Sequence, residues 1–319
     1  MSNMEDIILE NKEDLKSIKK DISKVGWSLV AFTLISSIVA NGVYLLGRQY
    51  FPNIANTILF QIIVGTLPIY IIGLPIILLV TRKLPITKPE VCEKLSVGKF
   101  ICILFLCFGA MYISSFISVA IKNAIGDLKG SEVTNSTTMI VSASGIWARI
   151  IFVSLIGPIM EEIIFRRVIL FKLLRYGEFI SIFFSSLAFG LFHGNIEQLL
   201  YAFAIGFILA YVTVKTGKIR YSIIIHIIIN SFGSIIIPLI VNAKETVTMV
   251  IATTFVGFFV IACITFSIIY LLASMKKINF REGIMPLTIS QKWNVMIANV
   301  GTIGFLMLSV LIIVVETIL

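Results

Sequence analysis

Charge is what this sequence holds least of. Only 13% of its 319 residues are Asp, Glu, Lys or Arg, against about 25% in soluble domains. That shortage excludes an ordinary soluble domain, whose surface needs such groups to stay wetted. Cysteine is scarce too. Of the four, Cys102, Cys107 and Cys263 lie in apolar runs and Cys92 in a basic loop. They are too few and too scattered for a disulfide framework and read as packing residues that stay reduced. Histidine occurs twice. The segment 1–24 mixes acids and bases with no cleavage-site pattern, so it is not expected to be a signal peptide. The net charge is +9, yet the cations fall in loops between apolar runs. That placement argues against a nucleic-acid partner and for orientation in a membrane.

What is present is apolar sequence, 58% of the residues, with a mean hydropathy of +1.03. A bilayer core about 30 Å thick needs roughly 20 apolar residues per helical crossing. Runs near 25–47, 56–81, 99–122, 146–174, 179–196, 198–214, 219–241, 249–274 and 293–316 meet that demand. They are long and unbroken, where a barrel would show short alternating segments. The expected fold is all-α, a polytopic transmembrane helical bundle of about eight or nine spans. Its parts are an amphipathic cytoplasmic segment 1–24, N-terminal transmembrane helices over 25–144, a core over 145–241, and two C-terminal helices over 242–319. Within and beside the first segment Ile8, Leu15, Ile18, Ile22 and Val25 recur at helical spacing, the mark of a helical lead-in. The stretch 123–143 is the longest expected outside loop.

Orientation follows from the cations. Of the 26 Lys and Arg residues, 21 fall within Lys12 to Lys24, Arg82 to Lys99, Arg166 to Arg175, Lys215 to Arg220, and Lys276 to Lys292. The intervening segments hold Arg48, Lys122, Lys129 and Lys244, with Arg149 near a span end. A cytoplasmic N-terminus in the cell membrane is therefore expected. The lipid bilayer is the first implied partner.

Ionisable groups inside a bilayer cost about 2.5–3.5 kcal/mol each on insertion scales and mark function by default. Here they concentrate in three successive motifs: Glu161-Glu162-xxx-Arg166, Phe189-xxx-His193, and His226-xxx-Asn230. Glu162 and Arg166 stand four apart, on one helix face, acid before base. Glu161 lies about 100° around the helix and can point elsewhere. His226 and Asn230, again four apart, present two polar groups side by side. Helical depth places Glu161, His193, His226 and Asn230 in one layer. Peptide hydrolysis needs a base for water, a proton donor for the leaving amine, and donors aimed at the oxyanion. Ser185-Ser186 lies near His193 without a nucleophile arrangement and reads as helix packing.

These three motifs resemble those of the CPBP group, the CAAX protease and bacteriocin-processing (Abi) intramembrane proteases, over roughly 145–240. The resemblance implies a glutamate-dependent endopeptidase without a cofactor, acting on a hydrophobic peptide or membrane-protein substrate. It implies that Glu161 and His193 activate water, that His226 and Asn230 form the oxyanion site, and that Glu162 and Arg166 support them. Three other readings stay open. Glu161, His193 and His226 are a set that suits catalytic zinc, although no His-Glu-x-x-His signature is present. The family also implies a non-catalytic scaffold or bacteriocin-immunity factor. A proton-coupled transporter would use buried Glu, Arg and His as a relay, but no internal repeat is visible.

Overall fold

A computed structural model describes residues 2–89, 92–241, 246–285 and 287–318, with side chains from Leu15 onward except those of 136, 137 and 241. Ile8 and Lys12 have their side chains outside the described set, and Lys244 lies outside it altogether. Helix dominates, as backbone groups in lipid require. Among the described residues there is no strand, only one isolated bridge between Gly177 and Glu282.

The chain begins with α1, Ser2–Tyr50. It continues through α2, Ile58–Val80, and α3, Val97–Lys129. A short α4, Ser136–Ala143, precedes a continuous helical stretch α5 over 146–176. Then come α6, Glu178–Phe192, α7, Ile196–Thr216, α8, Ile219–Ile240, and α9, Thr246–Lys277. An amphipathic α10, Ile289–Ile297, leads into α11, Val300–Ile318. Among the described residues, seven helices are long and apolar enough to cross a membrane: α2, α3, α7, α8, α9, α11 and the Leu15–Tyr50 part of α1. The other two expected runs are α5, which carries the charged motif, and α6. At 15 residues α6 is about 22 Å long at 1.5 Å per residue, short of the roughly 30 Å hydrocarbon core.

Four boundaries depart from the expected ones. Segment 1–24 is no separate lead-in, since α1 runs unbroken through it. Its stripe Ile18, Ile22 and Val25 continues into Leu29 and Phe32, and all five are buried in the main core with Leu173, Val295 and Phe305. Protein packing covers that stripe. The stretch 123–143 is largely helical, in the last turns of α3 and in α4. The run 179–196 stops at Phe192, because Gly194 takes a left-handed φ of 67° and Asn195 caps α7. The run 293–316 breaks at Ala298 and Asn299, where the Asn299 side-chain oxygen accepts from Thr302 N–H at 2.9 Å.

Small residues set the closest helix contacts, as expected where lipid offers no hydrophobic drive. The backbones of α1 and α11 approach so closely at Gly26 and Gly301 that a Cβ on Gly26 would collide with Gly301 backbone. Gly301 N–H donates to Ser23 Oγ at 2.9 Å across this contact. The first and last spans thus form a pair. That pair shares one core with α5 and α6, including Ile164, Phe165, Phe184 and Phe189.

Candidate active site

Helix geometry at the site is irregular. π-helical turns occupy Arg149–Ile156 and Ile163–Leu170 in α5, on either side of a single α-helical turn, Gly157–Glu162. Two more lie at Ile69–Gly73 in α2 and Phe232–Ile236 in α8. Wide turns of this kind concentrate at functional sites. In α5 the cause is visible. Pro158 has no N–H and crowds the carbonyl a turn before it, and Gly157 N–H bonds Phe152 O, five residues back. In that register the donor for Val153 O would be Pro158, which has none. Asn230 Nδ2 fills the gap, donating to Val153 O at 3.1 Å.

The two neighbouring glutamates have different surroundings. Glu162 is fully buried, as is Arg166, with Arg166 Nε 3.2 Å from Glu162 Oε2. Arg166 Nη1 donates to Ser185 Oγ at 3.0 Å, and Ser185 donates onward to Phe165 O at 2.7 Å. Ser185, expected as packing, therefore holds the guanidinium. The other Glu162 oxygen, Oε1, lies 3.2 Å from His226 Nδ1. Glu161 points differently: its Oε1 accepts from Tyr70 OH at 3.3 Å, and its Oε2 lies 3.6 Å from His226 Nε2. Both ring nitrogens of His226 thus face carboxylate oxygens.

His193 sits at the C-terminal end of α6, where the helix interior was expected. Its Nδ1 lies 2.9 Å from Phe189 O. A carbonyl can only accept, so Nδ1 carries a proton, and in the neutral ring the lone pair is on Nε2. Phe189 meets both imidazoles edge-on, with ring centroids 4.9 Å from His193 and 5.6 Å from His226. The Arg166 guanidinium carbon stands 5.1 Å from the same ring centroid. Asn195 fixes the turn after His193, donating to the His193 carbonyl at 2.9 Å while capping α7.

The structure thus brings Glu161, Glu162, Arg166 and His226 into direct contact and sets His193 against the shared phenylalanine. Asn230 stands one turn beyond His226, bonded to α5. Tyr70 escaped the sequence reading; its only signal is a phenol in an apolar span between Pro68 and Pro75. Of the set considered for zinc, Glu161, His193 and His226 each keep a candidate donor atom. No group of three or more His, Cys, Asp or Glu side chains among the described residues is disposed to hold a metal ion.

A polytopic helical bundle with carboxylates, imidazoles and a guanidinium gathered in its apolar interior has the build of a membrane-embedded enzyme. Comparison with known proteins makes this specific. Residues 143–232 match the family described as Type II CAAX prenyl endopeptidase Rce1-like, a stretch containing every motif residue. The chain is 30% identical over 164 residues to YdiL of Bacillus subtilis (strain 168), described as a candidate membrane peptidase, across 51% of this chain and 67% of that one. It is 34% identical over 111 residues to the membrane-embedded CAAX protease MroQ of Staphylococcus aureus (strain USA300), across 32% of this chain and 45% of that one. No solved structure matches at a comparable level. The chain belongs to the CPBP family of membrane CAAX-type proteases, and is a multi-pass membrane peptide hydrolase.

Proposed function

We propose that this protein is an intramembrane endopeptidase in which Glu161 and His193 activate water against a peptide bond of a hydrophobic or membrane-associated substrate. The observation that carries this reading is the division of labour between adjacent glutamates. Glu162 is held by Arg166 and His226, while among the described residues Glu161 meets a phenol and makes a long 3.6 Å approach to His226. Glu161 is the carboxylate free to take a proton from water. His193, with Nε2 unprotonated, receives or relays that proton and returns it to the leaving amine. His226, fixed through Nδ1, offers Nε2–H to the developing oxyanion, joined by the second N–H of the Asn230 amide. Each proton lost by water is thus given to the departing nitrogen, and no metal is needed.

In this reading the N-terminus faces the cytoplasm, as the cation asymmetry favours. His193 then lies toward the outer ends of the spans, near Glu197, which Lys122 contacts at 2.5 Å and Asn135 at 3.1 Å. The substrate is a membrane-tethered or leader-like peptide. The test compares peptide N- and C-termini in host cells carrying the wild type with those carrying Glu161→Ala at matched expression. Termini that vanish in the variant support the reading. An unchanged set overturns it and favours the scaffold or immunity role.

A further inference from the structure

We propose that Gly206 is a positioning residue for the reaction, setting both imidazoles of the site through the Phe189 ring against which α7 is pressed. The inference deepens the proteolytic reading above and rests on it. Gly206 is buried midway along α7. A Cβ added there would fall 2.9 Å from Phe189 Cδ1 and 3.4 Å from Arg166 Nη2. Carbon atoms pack best at about 3.5–4.0 Å, so the ring would have to move by roughly 0.6–1 Å. Retreat of α7 does not relieve the crowding cheaply. Ala202 and Ala210, four residues to either side on the same helix face, are 2% and 0% exposed and hold the backbone close.

Phe189 is where such a displacement reaches the chemistry. Its ring is 2% exposed and meets Phe165, His193 and His226 edge to face, with centroids at 5.2, 4.9 and 5.6 Å. The Arg166 guanidinium carbon stands over the same ring, 5.1 Å from its centroid, at cation–π range. His193 takes a second restraint from this residue, its Nδ1 lying 2.9 Å from Phe189 O. Arg166 in turn holds Glu162, and Glu162 holds His226. A shift of this one ring therefore disturbs the proton relay at His193 directly, and the oxyanion donor at His226 by two routes. The bare Cα of Gly206 leaves the space in which the ring sits true. Misplacement near 1 Å costs up to about 10²-fold in rate, and this one falls on the reacting groups.

The test uses full-length protein in liposomes and a synthetic copy of a peptide whose termini depend on Glu161 in the comparison above. It reads kcat, KM and melting temperature for wild type, Gly206→Ala, Phe189→Leu and the double variant. Gly206→Ala is expected to lower kcat by about tenfold to 10²-fold while KM changes by less than about twofold. Phe189→Leu is expected to lower kcat on its own, and it replaces the rigid ring by a branch that can turn aside. Adding Gly206→Ala to it is then expected to change kcat by less than about twofold, since the two substitutions act through one contact. A loss by the same factor in both backgrounds, an unchanged kcat in Gly206→Ala, or a rise in KM alone overturns the proposal and leaves proteolysis standing. If Gly206→Ala does not accumulate alone, the double variant decides. Accumulation with the kcat of Phe189→Leu supports the ring as the route, and failure to accumulate or a further loss overturns it. If no terminus depends on Glu161, proteolysis at this site falls and the positioning role with it.

Discussion

His226 Nδ1 lies 3.2 Å from Glu162 Oε1, joining α8 to a carboxylate that Arg166 also holds at 3.2 Å. The consequence is that one imidazole nitrogen is committed and the other faces Glu161. In this account a buried ion pair serves mainly to aim a ring. Replacing one member of such a pair leaves an uncompensated buried charge, commonly costing about 3–5 kcal/mol.

The two glutamates should therefore separate in experiment. Glu162→Gln leaves Arg166 unneutralised and is expected to lower thermal stability in detergent sharply, with activity lost as a result. Glu161→Gln is expected to abolish cleavage with little change in the melting temperature. Equal destabilisation by both would contradict the assigned roles.

Tyr70 donates to Glu161 Oε1 at 3.3 Å and orients the proposed base. Tyr70→Phe is expected to lower kcat by about tenfold, with KM little changed, as for an interaction that matters in the transition state. A rise in KM at constant kcat would assign Tyr70 to substrate binding instead.

Asn230 has two jobs that a double variant can split. Asn230→Ala leaves Val153 O without its donor, a loss of about 1–3 kcal/mol for a buried polar group. Adding Pro158→Ala supplies a backbone N–H in the right register, so stability is expected to recover. Cleavage should stay depressed, by about 10²–10³ for a lost oxyanion donor. Full recovery of cleavage would make Asn230 purely structural.

Much of this was legible in the sequence because the relevant physics is coarse. Long apolar runs must be helices in lipid, and ionisable groups among them stand out. What stayed hidden depends on contacts between distant segments. Nothing local distinguishes Tyr70 from a packing tyrosine, and Ser185 is found only once α6 packs on α5. The end of α6 was misplaced because Gly194 and Asn195 interrupt a stretch whose hydropathy barely dips. The break at Asn299 was missed for the same reason. Nor does the amphipathic stripe of 1–24 say what will cover it. Val295, Met296 and Phe305 do so from nearly three hundred residues away.

Topology has a natural probe. Cys92 is exposed, whereas Cys107 and Cys263 are buried and Cys102 half-buried. Its loop docks on the cytoplasmic end of α7 in the proposed orientation, with Glu93 N–H bonded to Lys215 O at 2.8 Å. A membrane-impermeant maleimide is expected to leave Cys92 unlabelled in intact cells and to label it after permeabilisation. Labelling in intact cells would invert the bundle.

The central claim is that Glu161 directs water at a peptide bond without a metal. Its most direct test incubates purified, metal-stripped protein in liposomes with membrane peptides extracted from Glu161→Ala cells, in ¹⁸O-labelled water. The account predicts new C-terminal carboxylates carrying one ¹⁸O with the wild type and none with Glu161→Gln, unaffected by chelators. New termini that form only after zinc is restored, or none at all, would contradict it.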